Sequence, residues 1–306
     1  MTGAAARADR PREVPKEAPK VVVVVLNWCG EADTRACLES LLCSAGHPFE
    51  ILLVDNGSPD GSGERLRAAF PQVAYLQTGR NHGFTGGNNR GIEGARAAGA
   101  EYVVVLNNDT VVASDCVSRL VETARAHPRA GAVAPTMLVH DAPDVVWYAG
   151  GTLSLGRGAG LHAGAGRPAP RVDERMRPVE TTFVTGCCVL LTRDAIDVVG
   201  GFEDSFFAYC EDVDLSYRLA RAGFALLHEP RARLTPKVPV GDAEPSPFQI
   251  VQRDRNRRRF VAMRLGAARR ARFAMWFYAT RLALLARYAL RRDWARARAI
   301  WQGAWS

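Results

Sequence analysis

Histidine is scarce in this sequence, six residues in 306, and none stands at zinc-binding spacing from a cysteine; the seven cysteines include no C-x-x-C pair. A tetrahedral structural zinc site is therefore excluded. The adjacent Cys187 and Cys188 suit a buried strand better than a disulfide, and a reducing cytoplasm is the expected compartment. No uncharged apolar run approaches the ~18 residues that cross a bilayer. Val21 to Leu26 is far too short and lacks a cleavage-like flank, so contact with a membrane, where it occurs, is expected to be peripheral. No internal repeat is present. No G-x-G-x-x-G follows the first apolar run, which weighs against a dinucleotide-dependent dehydrogenase. No recognised nucleic-acid module appears, and nucleic acid is not an expected partner.

What is present is unevenly placed. The net charge of +8 belongs to the end of the chain: residues 251–306 carry 15 Arg against 2 acids, about +13, leaving about −5 for the first 250. Residues 1–19, rich in Ala, Pro, Arg and Glu, have no apolar period and read as a disordered leader. From Lys20 the chain alternates β-branched runs with helical spacing. Val21 to Leu26, Glu50 to Val54, Val73 to Gln77 and Tyr102 to Leu106 are expected strands; Thr34 to Ser44, Gly63 to Phe70, a segment ending at Gly99, and Ser114 to His127 with a Ser114 cap are expected helices. That alternation implies a largely parallel sheet covered on both faces, with ligands outside the carboxyl ends of the strands. Between His140 and Pro178 the pattern dissolves into Gly, Pro and Arg, as in a functional or mobile loop, apart from the island Trp147 to Gly151. A strand from Thr181 to Thr192 and a short helix from Arg193 to Val199 follow.

The polar motifs sit where these strands end. Phe206 to Leu215 packs Glu211, Asp212 and Asp214 behind buried-looking aromatics and ahead of a helical segment. Buried carboxylates are costly unless paired, metal-bound or kept for proton transfer, so Glu211 and Asp212 are either a general base or the cap and dipole partner of the next helix. Asn107-Asn108-Asp109 either holds a divalent cation that in turn holds a diphosphate, or closes its strand as an Asx turn. The glycines from Gly83 to Gly91 either admit backbone amides to phosphate or sugar, or form a turn. Asp55 either accepts from a base N–H or caps the next helix.

Taken together, Leu26-Asn27-Trp28, Val54 to Ser58, Asn81 to Asn89, Leu106 to Thr110, Thr185-Gly186-Cys187, Gly200-Gly201-Phe202, Phe206-Phe207 and Glu211 to Asp214 resemble the family 2 glycosyltransferases of GT-A fold, in particular the rhamnosyltransferase-like members, over roughly residues 20–259. The resemblance implies a three-layer α/β/α sandwich around the sheet. Residues 20–247 would be the catalytic domain, with a nucleotide-binding half at 20–135 and an acceptor half at 136–247, and residues 248–306 a basic amphipathic helical extension. It implies that Leu26, Asn27, Asp55 and Asn56 hold a pyrimidine nucleoside, and that Asn81, Gly83, Phe84, Gly87, Asn88, Asn107, Asn108 and Asp109 hold donor sugar and diphosphate. Asp109 would carry Mg²⁺ or Mn²⁺. Trp147, Gly186, Phe207 and Asp214 would line the acceptor or donor pocket, with Asp212 as general base and Glu211 beside it. The implied reaction is inverting transfer of rhamnose or another deoxyhexose from a dTDP- or UDP-linked donor to a hydroxyl of a glycan, lipid carrier or natural product.

One position departs from the family pattern. Where a metal-binding His is expected, Pro230 to Pro236 ends on proline, which cannot ligate; His228 is the alternative ligand, and a catalytically impaired nucleotide-sugar binder or partner subunit is the alternative function. Glu203 likewise replaces an Asp. In the tail, Phe273, Trp276, Phe277, Leu284, Leu285, Tyr288 and Trp294 alternate with Arg, so it either lies on an anionic membrane as an interfacial helix pair or packs on the catalytic domain or a second copy of it.

Overall fold

The computed structural model describes residues 20–237 and 244–305; the expected leader lies outside them. The chain opens β1 (Val21–Asn27), α1 (Glu31–Leu42), β2 (Glu50–Asp55), α2 (Ser62–Ala69), β3 (Ala74–Gln77), α3 (Gly83–Ala97), β4 (Tyr102–Asn107), β5 (Thr110–Val112) and α4 (Cys116–Ala126). It continues with β6 (Ala130–Val139), β7 (Ala142–Tyr148), β8 (Gly151–Ser154), β9 (Ala159–His162), β10 (Val179–Thr181), β11 (Cys188–Thr192), α5 (Arg193–Val199), α6 (Glu211–Arg221) and β12 (Ala225–Pro236), and then α7 (Pro247–Arg264), α8 (Ala267–Leu290) and α9 (Trp294–Trp305).

The main sheet runs β10-β12-β6-β11-β4-β1-β2-β3. Strands β4, β1, β2 and β3 are mutually parallel, as the β-branched runs predict, and Val21 to Val25 are buried. β11 enters antiparallel between β4 and β6, so the sheet as a whole is mixed. Because β2 lies on one side of β1 and β4 on the other, the strand order reverses at β1, and a crevice opens at their carboxyl ends. Register brings Asn27 opposite Asp55, and Leu26 opposite Asn107, at that crevice.

Several expectations are corrected. The glycine-rich stretch from Gly83 is helix, not loop. A Cβ on Gly91 would lie 2.3 Å from Val24 Cγ1, and one on Gly87 2.6 Å from Leu26 Cδ1, so glycine at this spacing lets α3 settle directly onto the sheet. The stretch after His140 holds β7 and the β8–β9 hairpin. The strand expected over 181–192 is two strands, with Thr185 and Gly186 in the bend between them. Ser114 does not cap α4, whose N-cap residue is Asp115.

The basic tail forms α7, α8 and α9. Phe260, Phe273 and Phe277 are buried in the same core as the sheet, while Ile250, Tyr288, Ala297 and Ile300 make a second small core among the three helices. The packing alternative for the tail is thus realised for α7 and α8. Ser246 and Gln249 form a capping box that starts α7, with Pro247 in the first turn.

Candidate active site

The site begins with a buried polar network at the strand ends. Asn27 Nδ2 donates to Asp55 Oδ1 (2.8 Å) and lies 3.1 Å from Ser62 Oγ; Thr34 Oγ1 lies 2.9 Å from Asn27 Oδ1, and Asn108 Nδ2 donates to Thr34 Oγ1 (2.8 Å). Buried polar groups need such partners, and the network ties the ends of β1, β2 and β4 into one platform. Asn27 and Asp55 lie within the platform and line neither cavity described below.

Two cavities open above it. One, about 410 Å³, is lined by Leu26, Trp28, Asn56, Asn81, Gly83, Phe84, Asn107, Asn108, Asp109, Phe207, Ala208 and Phe248. Asn56 shapes its floor: Nδ2 donates to the Gly83 carbonyl (2.9 Å) and Oδ1 accepts from the His82 amide (3.1 Å). The second, about 650 Å³, shares Phe84, Asn107, Asp109 and Ala208 with the first and adds Trp147, His162, Phe183, Gly186, Tyr209, Glu211, Asp212 and Pro236. The two therefore meet at Asp109.

Asp212 and Glu211 enter this cavity from the first turn of α6, whose dipole favours carboxylates; the N-cap residue itself is Cys210, without a side-chain cap. Asp212 Oδ1 accepts from the Val213 amide (2.8 Å) and Oδ2 from the Gly186 amide (3.4 Å). Burial pushes the Asp212 carboxyl up to about 6, against the pull of those amides. Glu211 is pushed well above the usual carboxylate range, first by burial and then by Asp212, and its Oε2 is buried without a partner. Burial thus disfavours ionising both of these adjacent carboxyls at once.

The turn before them is strained. Phe207, Tyr209 and Cys210 hold φ of 55°, 68° and 68°, a region that non-glycine residues seldom enter. Asn256 of α7 holds it: its Nδ2 lies 2.8 to 2.9 Å from the carbonyl oxygens of Phe206, Ala208 and Tyr209.

A family model for glycosyl transferase family 2 matches residues 20–200. The chain is 34% identical, over 69% of its length and 74% of the relative's, to an N-acetylglucosaminyl-diphospho-decaprenol L-rhamnosyltransferase of Mycobacterium tuberculosis. The chain belongs to glycosyl transferase family 2. A hexosyltransferase of low-salt glycan biosynthesis from Haloferax volcanii is 26% identical over 65% of this chain and 61% of its own. Among solved structures, a mannosyltransferase from Pyrobaculum calidifontis in complex with GDP-Man and Mn²⁺ superposes with TM-score 0.60 at 18% identity, covering 95% of this chain and 87% of that one. GalNAc-T7 with UDP, GalNAc and Mn²⁺ gives 0.61 at 17%, covering 81% and 48%. The fold is GT-A.

In this family 2 glycosyltransferase most of the expected site residues converge on the two cavities, and some do not. Gly87 packs against Leu26 and Asn56, and the buried Asn88 donates from Nδ2 to the Phe84 carbonyl (3.0 Å). Asp214, expected in the pocket, is instead fully buried in ion pairs with Arg218 and Arg264, both 2.6 Å. His228, the alternative ligand, lines neither cavity: it is buried against Thr136 Oγ1 (2.9 Å), and burial lowers its ring to about 4. Pro236 does face the cavity beside Asp109.

Among the described residues no three His, Cys, Asp or Glu side chains gather into a metal-binding group. Asp109 nonetheless offers a buried Oδ1 without a partner, which suits a hard cation completed by diphosphate oxygens and water. Burial raises the Asp109 carboxyl, a cost that a bound cation would offset. Sequence reasoning missed Phe248, Gln249, Arg253 and Arg257, which α7 adds to the cavity walls, and His162 and Phe183, whose rings stack 5.9 Å apart in the lining of the larger cavity. The Arg-rich periodicity of residues 248–264 was a signal for helix; nothing in it marked which Arg would face the site.

Proposed function

We propose that this chain transfers rhamnose or another deoxyhexose from a dTDP- or UDP-linked donor, with inversion, to a hydroxyl of a lipid-carried sugar, a glycan or a natural product. The observation that carries the proposal is the shared 650 Å³ cavity, with Asp109 where it meets the smaller pocket and Asp212 on its wall. The M. tuberculosis relative, named for rhamnosyl transfer to a diphospholipid-linked sugar, supports the donor and the lipid-carried acceptor.

In this reading the smaller pocket takes the nucleoside, with the exposed Trp28 at its rim and Asn56 shaping the wall. The diphosphate lies toward Asp109. Asp109 would hold Mg²⁺ or Mn²⁺, which supplies neutralisation of the charge developing on the leaving diphosphate. Asp212 removes the acceptor hydroxyl proton as that oxygen bonds to the anomeric carbon. The bond from that carbon to the diphosphate oxygen breaks, its electron pair leaving with the nucleoside diphosphate. A single displacement inverts the centre and needs no second carboxylate as nucleophile. Burial and the neighbouring Asp212 both disfavour ionisation of Glu211, so the base role falls to Asp212, which two backbone amides stabilise as the carboxylate. Trp147, His162, Phe183, Gly186 and Tyr209 form the wall against which the acceptor would bind.

The test is product analysis by NMR with a panel of nucleoside-diphosphate sugars and a short-chain diphospholipid-linked N-acetylglucosamine. Transfer with inverted anomeric configuration is expected. Retention of configuration would contradict the mechanism.

Pro236 supports a second reading, a nucleotide-sugar binder without turnover, because it faces the cavity beside Asp109 at the position of the expected His. Pro236→His separates the two. In an active enzyme it should lower the Mn²⁺ concentration needed for half-maximal turnover; no transfer with any donor, before or after the change, would favour the binder.

A further inference from the structure

We propose that Arg253 and Arg257 form a phosphate subsite for the acceptor, so that the substrate accepting the sugar is itself carried on a phosphate or diphosphate. The proposal rests on the reading of the large cavity as a transfer site, and names what its far wall binds.

Helix α7 contributes residues to the lining of both cavities. Phe248, in its first turn, lines only the smaller pocket, whereas Gln249, Arg253 and Arg257 line only the larger one. Steps of four residues keep those three side chains on one stripe, about 6 Å apart along the axis. The stripe runs from the nucleoside side toward the β8–β9 hairpin, where Gly158 packs near the Arg257 carbonyl. Both guanidinium groups thus lie beyond the pocket that the donor's nucleoside occupies.

Neither makes an ion pair with a carboxylate among the described residues, although the charge of Asp254 acts on both and that of Asp212 on Arg253. Arg253 stacks 5.0 Å over the Tyr209 ring and makes no ion pair, and Arg257 makes neither a hydrogen bond nor an ion pair. Nearby, Arg264 is paired with Asp214 and Glu203, and Arg281 with Asp254. Arg281 holds Asp254 Oδ1, and neither Arg253 nor Arg257 bonds the remaining oxygen. Arg257 is half-buried and its charge is disfavoured by that burial, a cost that Asp254 offsets from a distance and that a phosphate in direct contact would offset further. Of the carboxyl groups lining the same cavity, Glu211 has its ionisation disfavoured by burial and by Asp212, and Asp212 serves the acceptor hydroxyl. An acceptor with its reacting hydroxyl at Asp212 would extend its other end along the stripe. Guanidinium forks match phosphate oxygens in geometry and charge.

The test is calorimetric binding to the full chain with three probes: N-acetylglucosaminyl diphosphate bearing a short prenyl chain, phosphate-free octyl N-acetylglucosaminide, and dTDP. The wild-type protein should bind the diphosphate-linked sugar at least tenfold more tightly than the octyl glycoside. Arg253→Met and Arg257→Met should each weaken the former about tenfold, the scale of a lost charge-assisted hydrogen bond. Affinity for the octyl glycoside and dTDP should hold, and Arg257→Lys should recover part of the loss. Equal wild-type affinity for the two sugars, or equal weakening of both, overturns the proposal. Weakened dTDP binding overturns it too, by assigning the arginines to the donor's diphosphate. Should Arg257→Met fail to fold, the exposed Arg253 carries the test alone. A protein that binds as expected yet transfers nothing would contradict the proposed reaction and leave the subsite standing.

Discussion

Asp212 and Glu211 are adjacent in sequence and opposite in behaviour. Both are raised by burial, but two backbone amides hold Asp212 down to about 6, whereas Glu211 has its Oε2 unpartnered. A base of that kind must be ionised to act, so kcat/KM should fall as pH drops through about 6 and level off above it. A profile flat to pH 5 would remove Asp212 from the role. Glu211 predicts a stability effect of the reverse sense. Its folded value is raised above the ordinary 4.5 by burial and by Asp212, so above pH 4.5 folding favours the protonated form and its cost grows as pH rises toward the folded value. Glu211→Gln should therefore raise Tm at pH 7.5 and change it little at pH 4. A destabilised variant at pH 7.5 would mean that the carboxyl has a partner that glutamine cannot replace.

At the scale of elements, α3 and α7 hold the site and were unequally readable. The strands β1, β2 and β4 announce themselves as unbroken Val and Leu runs that stop at Asn27, Asp55 and Asn107, because burial on both faces and polar strand ends leave a local mark. The glycines of α3 mark close packing, which sequence alone does not separate from a phosphate loop. Gly91→Ala puts a methyl 2.3 Å from Val24 Cγ1 and should cost ~1–3 kcal/mol, read in a denaturation curve, despite alanine's better helix propensity. β12 escaped notice because His228, Glu229, Arg231 and Arg233 interrupt its apolar pattern; Glu229 is buried in bonds to Arg231 and Thr123 that only the fold supplies. The service of Asn256 to Phe206, about fifty residues earlier, leaves no local trace either. Asn256→Ala should free the strained turn, lowering turnover more than nucleotide affinity; an unchanged kcat would mean that the turn keeps its shape without this clamp.

The whole molecule joins a basic tail to an acidic catalytic part, and the join is a packed core. Phe273 and Phe277 are buried with the sheet's own residues, and Arg281 reaches back to the buried Asp254. Removing residues 268–306 should therefore lower thermal stability markedly, measured by calorimetry; an unchanged Tm would contradict the packing. Met275, Leu282, Trp294 and Trp301 remain exposed beside tail arginines, and no helix of the described residues is long and apolar enough to cross a membrane. The central claim remains local. The measurement that tests it most directly is turnover and dTDP affinity of Asp212→Asn in one preparation, against the wild type with the donor and acceptor that it uses. Loss of turnover by ~10²-fold or more, with nucleotide affinity near normal, is the result expected of a removed base; turnover within a few fold of wild type would contradict it.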